Sequence, residues 1–170
     1  MKNLELKITI KNFNALNKIL KEMDADYKGE LRQIDTYYNC ANGRLKTREI
    51  NQRDFEVIFY QRPNIKESKE SNYEVLPVQK SQIDKFKSFL KNLFGERVIV
   101  KKKRHLWIYR NTRIHIDKVE KLGTFLELET AINGNKNKAQ KEHKNIIDQL
   151  DINKHKKYPG SYSDMLLAQG

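Results

Sequence analysis

Apolar and polar residues alternate one by one along several stretches of the chain, which predicts β-strands with one apolar face and one polar face. The clearest stretch covers residues 113–129 and reads as two strands joined by a short turn. Arg113 and Asp117 share a face of the first strand, and Glu127 and Glu129 share a face of the second. This stretch therefore predicts a sheet face that carries both acids and bases, a composition suited to metal ions and an anionic ligand.

The same alternation predicts strands elsewhere, and most of them also carry charge on one face. Basic residues dominate the charged faces of some strands, while acids gather near the start of the chain and near Glu127. An Asn42-Gly43 pair between two of the strands is typical of a hairpin turn. The predicted strands cover residues 3–10, 33–40, 44–50, 55–62, 98–109, 113–117 and 125–131.

Apolar residues at helical spacing predict amphipathic helices over residues 12–25, between Ser81 and Gly95, and over residues 138–150. Ser81 and Asp84 resemble a capping box at the start of the second helix, and Gly95 is placed to end it. Other segments are polar and lack either period. Residues 63–71 are predicted to form a mobile loop, residues 133–137 a second loop, and the lysines of 154–157 a solvated tail.

Size and composition favour a single domain spanning residues 1–170. A chain of 170 residues with 38% hydrophobic and 33% charged residues can bury a core, although its charge content is high. The formal net charge of +12 predicts affinity for anions such as nucleotides, polyphosphates or nucleic acid. The lone Cys40 excludes an internal disulfide and a cysteine-rich metal site. No membrane span or signal peptide is recognisable, so we expect a soluble cytoplasmic protein.

Charged faces on so many strands have two interpretations. Any single face is most simply the solvated side of an antiparallel sheet that packs on helices. Taken together, the paired carboxylates of Glu127 and Glu129 and the paired bases on other strands favour a closed barrel, in which these groups surround a channel. A phosphorylated ligand and divalent cations would balance their charges there.

Several motifs, in their order along the chain, resemble the CYTH domain family, also called the triphosphate tunnel metalloenzymes. The N-terminal strand resembles the family's Glu-x-Glu-x-Lys signature, with Glu5 and Lys7 in place and Asn3 where the first acid is expected. The segments RIHID at 113–117 and LGTFLELE at 122–129 are similar to the cyclase-type branch. The resemblance covers nearly the whole chain. It extends to residues 33–38, 43–49 and 161–166.

The resemblance implies an α+β fold, a closed antiparallel eight-stranded β-barrel flanked by helices, whose tunnel holds a triphosphate. It implies Mg²⁺ or Mn²⁺ as cofactor, since these ions prefer carboxylate and phosphate oxygens, and bases that grip phosphate. Asp117, Lys102 and Arg104 match positions that the resemblance implies to act in catalysis. The implied metal ligands are Glu5, Asp117, Glu127 and Glu129. The implied substrate-binding bases are Lys7, Lys46, Arg48, Arg62, Lys102, Arg104 and Arg113.

Several functions stay open at this point. A class IV adenylyl cyclase-like lyase, which converts ATP to cyclic AMP and pyrophosphate, is preferred because RIHID and LGTFLELE match that branch. The alternative is a triphosphatase acting on thiamine triphosphate, tripolyphosphate or a nucleoside triphosphate. Asn3 in place of an acid leaves open one metal ion or two, and also a binding protein without turnover. Nucleic-acid binding ranks last, because the bases alternate with apolar residues along strands. A homodimer is an open alternative to a monomer, since the cyclase-type branch is often dimeric.

Some conspicuous side chains receive simpler structural interpretations. His115 lies beside Asp117 on the charged face, but we expect it to be satisfied by hydrogen bonds. Trp107 is expected in the core. Lys101 and Lys103 are expected to point outward, and Tyr37, Tyr60 and Tyr73 to pack within the barrel wall.

Overall fold

The computed structural model describes residues 2–169 as a β-barrel with helices on its outside. Short 3₁₀ helices cover Lys80–Gln82 and Ile152–Lys154. The strands are β1 (Lys2–Thr9), β2 (Asp26–Tyr38), β3 (Arg44–Ile50), β4 (Asp54–Gln61), β5 (Lys69–Val78), β6 (Glu96–Tyr109), β7 (Thr112–Val119) and β8 (Gly123–Ala131). The α-helices are α1 (Phe13–Glu22), α2 (Ile83–Phe94), α3 (Lys136–Gln149) and α4 (Tyr162–Leu167).

The strands of residues 2–169 close into one eight-stranded barrel in the order β1-β5-β4-β3-β2-β6-β7-β8. Neighbouring strands are antiparallel throughout. Closure is made by β1, which pairs with β8 over residues 3–9 but with β5 only over residues 2–5. The predicted α+β fold, a closed antiparallel eight-stranded barrel flanked by helices, is confirmed.

The two faces of the barrel wall differ in chemistry because side chains alternate across each strand. Outward-facing Leu6, Ile114 and Leu126 pack with Leu20 of α1 and Ile146 of α3 in one buried cluster. The helix α2 covers a separate cluster on β4 and β5. Two apolar clusters therefore lie between the barrel and its helices. A third, which includes Ile58 and Phe125, lies inside the barrel, where it shares the inner face with the charged residues.

The predicted helices exist, with shifted ends. The side chain of Asn12 caps α1, which begins at Phe13. Gly95 ends α2 as predicted, with a positive φ of 73° that suits glycine. The predicted capping box at Ser81 is wrong, because a 3₁₀ turn occupies that position and the N-cap residue Gln82 makes no side-chain capping bond.

Two polar segments that are expected to be irregular belong to the barrel. The end of the predicted loop at 63–71 forms the start of β5, where Lys69 is buried and donates to the carbonyl of Pro159 at 2.6 Å. In the predicted solvated tail, Lys157 forms a β-bridge with Ile8. This bridge lies on the part of β1 beyond its short pairing with β5.

Truncating Ile146 to alanine is expected to lower the free energy of unfolding by roughly 2–5 kcal/mol, because its side chain fills the cluster between α3 and the barrel and is 0% exposed. Denaturant unfolding followed by circular dichroism measures the loss. Leu93→Ala on α2 is the control, since Leu93 is 58% exposed and its loss should stay below about 0.5 kcal/mol. Equal losses at both positions would contradict this assignment of the core.

Candidate functional site

The inner face of the barrel surrounds a cavity of about 260 Å³. Its wall holds every base that the sequence predicts to bind substrate. Most of these side chains are withdrawn from solvent, whereas Arg113 keeps 43% of its side chain exposed at one end of the barrel. The bases that line the cavity are Lys7, Lys46, Arg48, Arg62, Lys102, Arg104 and Arg113.

The buried carboxylate of Asp35 on β2 holds three of these bases together. Lys46 Nζ donates to it at 2.8 Å, and Arg48 donates through Nε at 2.7 Å and a terminal nitrogen at 2.9 Å. Lys102 Nζ lies 3.4 Å from the same carboxylate. The bases come from β3 and β6, the two strands that flank β2. Asp35 is 1% exposed and acts as their internal counter-ion, a role that the alternation pattern does not reveal.

Burial lowers the pKa values of both lysines of this cluster to the range between about 7 and 8. It is the main reason that the pKa of Lys46 falls to about 7; repulsion by Arg48 lowers it further, while Asp35 raises it. Burial, followed by Arg104, lowers the pKa of Lys102 to about 8. Burial alone would raise the pKa of Asp35, but the three bases hold it well below its ordinary value. An anion in the cavity would therefore draw protons onto both lysines.

An acidic cluster lies on β7 and β8, which follow β6 around the barrel. His115, Glu127 and Glu129 each place a ligand atom within 4.8 Å of the other two, an arrangement that can hold a metal ion. His115 Nδ1 lies 3.8 Å from Glu127 and 3.7 Å from Glu129, too far for hydrogen bonds. Lys7 and Arg104 approach Glu127 at 3.4 and 3.2 Å. Glu127 thus lies between the cluster and the bases of the cavity.

This donor set fits a divalent cation. Within the described residues, His115 Nδ1 is buried and has no hydrogen-bond partner, so the expectation of a satisfied histidine is wrong for this atom. Burial lowers the pKa of His115, which keeps its ring neutral and its lone pair available. Carboxylate and phosphate oxygens suit Mg²⁺ or Mn²⁺. Glu127 and Glu129 are the predicted ligands placed to hold such an ion, and His115 is a third donor.

The other two predicted metal ligands lie in ion pairs outside that cluster. Glu5 accepts a hydrogen bond from Arg62 at 2.7 Å and another from the hydroxyl of Tyr73. Asp117 accepts two from Arg104, at 2.7 and 2.6 Å. Both carboxylates are almost fully buried. In this structure they orient guanidinium groups, and their part in metal binding stays a prediction.

The C-terminal segment covers one end of the tunnel. Tyr162, the first residue of α4, donates its hydroxyl to Asp117 at 3.0 Å, and its ring lies 3.9 Å from Lys7 Nζ. A capping box between Ser161 and Asp164 fixes the start of the helix. Ser161 and Tyr162 are buried and line the cavity. The family resemblance covers this segment but assigns it no role in the tunnel. Its contacts join residues far apart in the chain, so the sequence alone does not reveal that role.

The opposite end of the tunnel is a mouth. Because neighbouring strands are antiparallel, the beginnings of some strands and the ends of others meet there, and the inner-facing residues at these positions surround the opening. Asn3, Arg113 and Glu129 form its polar side, and Arg113 donates to Glu129 at 3.0 Å. Asn3 stands in the N-terminal signature where an acid is expected. The other side of this mouth is mainly aliphatic and consists of Leu31, Ile50, Val75 and Leu106, with Glu56 of β4 also lining it.

Aromatic and basic residues that are expected to be structural divide between the two faces of the barrel. Trp107 is buried and Lys101 and Lys103 are exposed, as predicted. The tyrosines project inward from their strands, where they pack in or against a buried apolar cluster, as expected, and also line the cavity. The tyrosines that line the cavity are Tyr37, Tyr60 and Tyr73.

Known proteins share this sequence pattern and this architecture. Residues 1–162 match the CYTH domain family. A "putative adenylate cyclase" from Methanocaldococcus jannaschii is 27% identical, over 97% of this chain and 98% of its own. Within residues 2–169, no helix is both long enough and apolar enough to cross a membrane.

Solved structures superimpose on the whole barrel. A protein from Pyrococcus horikoshii gives a TM-score of 0.80 at 23% identity and covers 95% of this chain and 98% of its own. A "putative adenylyl cyclase" from Hippeastrum, described as having a dominant triphosphatase activity, gives a TM-score of 0.63 at 13% identity, over 94% of this chain and 91% of its own. At these identities the likeness shows a shared fold.

Proposed function

The chain belongs to the CYTH domain family, and on that premise we propose that it is a metal-dependent enzyme that converts ATP to cyclic AMP and pyrophosphate, in the manner of a class IV adenylyl cyclase. The observation that carries the proposal is a tunnel in which bases from β3 and β6, gathered around Asp35, share one cavity with a cluster able to hold a cation. The relative from M. jannaschii, matched over nearly all of both chains, supports the cyclase reaction. We place the reaction in the cytoplasm, where a free thiol such as Cys40 persists.

The residues of the tunnel have separate tasks in the proposed reaction. The ribose 3′-oxygen attacks the α-phosphorus, the bond from that phosphorus to the bridging oxygen breaks, and pyrophosphate leaves while the hydroxyl proton passes to solvent. Lys102 and Arg104 are placed to neutralise the charge that grows on the leaving group, and Asp117 positions Arg104 through two hydrogen bonds. Glu127 and Glu129 would hold a divalent cation, which would supply further stabilisation of charge on phosphate oxygens.

Product analysis tests this proposal. The purified protein is incubated with ATP and Mg²⁺ or Mn²⁺, and its products are separated by chromatography. Cyclic AMP with pyrophosphate is the expected result, and chelation with EDTA should abolish it. ADP with orthophosphate would overturn the cyclase reaction in favour of hydrolysis. Unchanged ATP, with binding retained, would make the chain a nucleotide- or polyphosphate-binding protein.

Triphosphate hydrolysis is the second candidate function. It is favoured by the neighbour from Hippeastrum, which shares the fold and is described as having a dominant triphosphatase activity. The bases around Asp35 would hold the phosphate chain in the same way for either reaction, while water replaces the ribose hydroxyl as the attacking group. Parallel assays with tripolyphosphate and thiamine triphosphate distinguish this candidate, because neither compound can form a cyclic nucleotide.

Affinity for tripolyphosphate is expected to fall as pH rises from 6 to 9, because Lys46, with a pKa of about 7, and Lys102, with a pKa of about 8, lose their charge in the free protein. The Lys46→Arg variant keeps its charge over this range, so its loss of affinity between pH 6 and pH 9 should be roughly tenfold smaller than that of the unaltered protein. A factor of about ten in affinity corresponds to the free energy of one charge-assisted hydrogen bond. Titration calorimetry in EDTA measures both curves. The exposed Lys101→Arg is the control, and its curve should follow that of the unaltered protein. Parallel curves for Lys46→Arg and the control would contradict the prediction.

A further inference from the structure

The open mouth of the tunnel has an aliphatic side that the phosphate-binding bases do not explain. Leu31 on β2, Ile50 on β3 and Leu106 on β6 line the cavity there and are half-buried, and Val75 on β5 is 39% exposed. The first three lie on adjacent strands, and Ile50 is the register partner of Gln33, two residues along β2 from Leu31. Glu56 on β4 also lines the cavity and separates Val75 from these three. We name these four residues the aliphatic collar. Apolar surface kept partly exposed at the rim of a polar cavity is typical of a ligand contact.

Gln33 lies directly below the collar and carries an unsatisfied polar atom. Its side chain is 4% exposed and lines the cavity, and within the described residues its amide oxygen has no hydrogen-bond partner. A buried acceptor without a donor costs free energy, and a ligand hydroxyl or amino group at this depth would remove the cost. The collar and Gln33 are thus two independent indications of a ligand on the same side of the mouth.

The inner face of β2 has three chemical levels in sequence. Leu31 is apolar, Gln33 offers an amide, and Asp35 holds Lys46, Arg48 and Lys102. Alternate residues of a strand are about 6–7 Å apart, so the levels succeed one another at about that spacing. A nucleotide has the same order of chemistry, with a flat aromatic base whose faces are apolar, a sugar with hydroxyl groups, and phosphates.

We propose that the aliphatic collar binds the base of a ribonucleoside triphosphate and that Gln33 accepts a hydrogen bond from a ribose hydroxyl. The phosphates then reach the bases around Asp35. This proposal rests on the proposed function and narrows its substrate class, since inorganic tripolyphosphate has nothing to place against the collar. The polar groups of the mouth's other side, Asn3, Arg113 and Glu129, face the opposite edge of the ligand.

Binding measurements in EDTA, where metal-dependent turnover does not run, test the proposal by titration calorimetry. ATP, 2′,3′-dideoxy-ATP and tripolyphosphate are compared on the unaltered protein and on Leu31→Ser and Gln33→Leu. The Leu31→Ser substitution should weaken the binding of ATP roughly three- to tenfold, because apolar contact with the base is lost. The unaltered protein should prefer ATP to its dideoxy analogue roughly fivefold, and Gln33→Leu should abolish that preference. Tripolyphosphate should bind all three proteins within about twofold, which also shows that both variants fold.

Each other outcome has a distinct meaning. If Leu31→Ser leaves ATP affinity unchanged, or if Gln33→Leu keeps the preference for ribose hydroxyls, the proposal is overturned while the triphosphate tunnel stands. If both variants weaken ATP and tripolyphosphate equally, the collar supports the barrel and does not recognise a base, which also overturns it. Failure of the unaltered protein to bind any of the three compounds, in EDTA and again with Mg²⁺ present, would overturn the proposed function itself.

Discussion

Replacing Glu127 with glutamine is expected to lower metal-dependent turnover of ATP by at least about 10²-fold. Even outer-shell partners of bound metals are typically worth 10- to 100-fold, and Glu127 is placed to bind the cation directly. Glutamine keeps the size of the side chain but removes the charge that attracts the ion. Steady-state assays give the loss of turnover, and Mn²⁺ titration followed by electron paramagnetic resonance gives the loss of metal affinity, which should fall in parallel.

The matched control for this variant is Glu74→Gln. Glu74 is exposed on the outer face of β5, so its substitution changes the net charge equally without touching the tunnel. Unchanged turnover in Glu127→Gln would sink the metal assignment. A loss of turnover with full Mn²⁺ affinity would instead assign Glu127 to the orientation of Lys7 and Arg104, which it contacts at 3.4 and 3.2 Å.

Replacing Asp35 with asparagine is expected to destabilise the protein by roughly 3–5 kcal/mol, because it leaves Lys46, Arg48 and Lys102 buried without their shared counter-ion. The same physics predicts a rescue. Phosphate oxygens can take over the charge of the lost carboxylate, so tripolyphosphate should raise the melting temperature of the variant more than that of the unaltered protein. Thermal unfolding with and without tripolyphosphate measures both effects.

An exposed aspartate at the start of β4 provides the comparison for this variant. Asp54→Asn removes one negative charge outside the tunnel and should leave both the melting temperature and its response to tripolyphosphate nearly unchanged. If Asp35→Asn behaves in the same way, Asp35 is not the counter-ion of the bases around it. A destabilised variant that tripolyphosphate does not rescue would separate the stability role of Asp35 from phosphate binding.

The strands that can be predicted from the sequence are those with one fully apolar face. In β1, Leu4, Leu6 and Ile8 alternate with polar residues, and the alternation alone identifies the strand. In β5 the inner residues begin with Lys69 and Ser71 and their outward neighbours are also polar, so neither face is apolar and the strand is missed. Pairing with its neighbours β1 and β4 holds this segment as a strand, although its own sequence lacks an apolar face.

The site shows the same division between local and long-range information. Period-two alternation places the bases and acids of each strand on the inner face correctly. It does not show that β3 and β6 deliver Lys46 and Lys102 to Asp35, because those contacts depend on which strands are neighbours. The hydrogen bond from the hydroxyl of Tyr162 to Asp117 depends on the path that the chain takes after α3. The sequence predicts which residues of one strand share a face, whereas contacts between residues of different strands become visible only in the closed barrel.

The closure of the barrel by β1 has a consequence for how the protein is made. Lys7 on β1 is the register partner of Glu127 on β8. The first strand of the barrel can therefore pair with the last one only after that strand has been synthesised. Pairings between such distant segments are slow to form, because the chain loses much entropy before it gains the contacts. Until β8 arrives, the bases around Asp35 and the acidic cluster do not share one cavity. The tunnel is therefore closed only after β8 has been made, and a nascent chain that stops before β8 lacks the pairing that closes it.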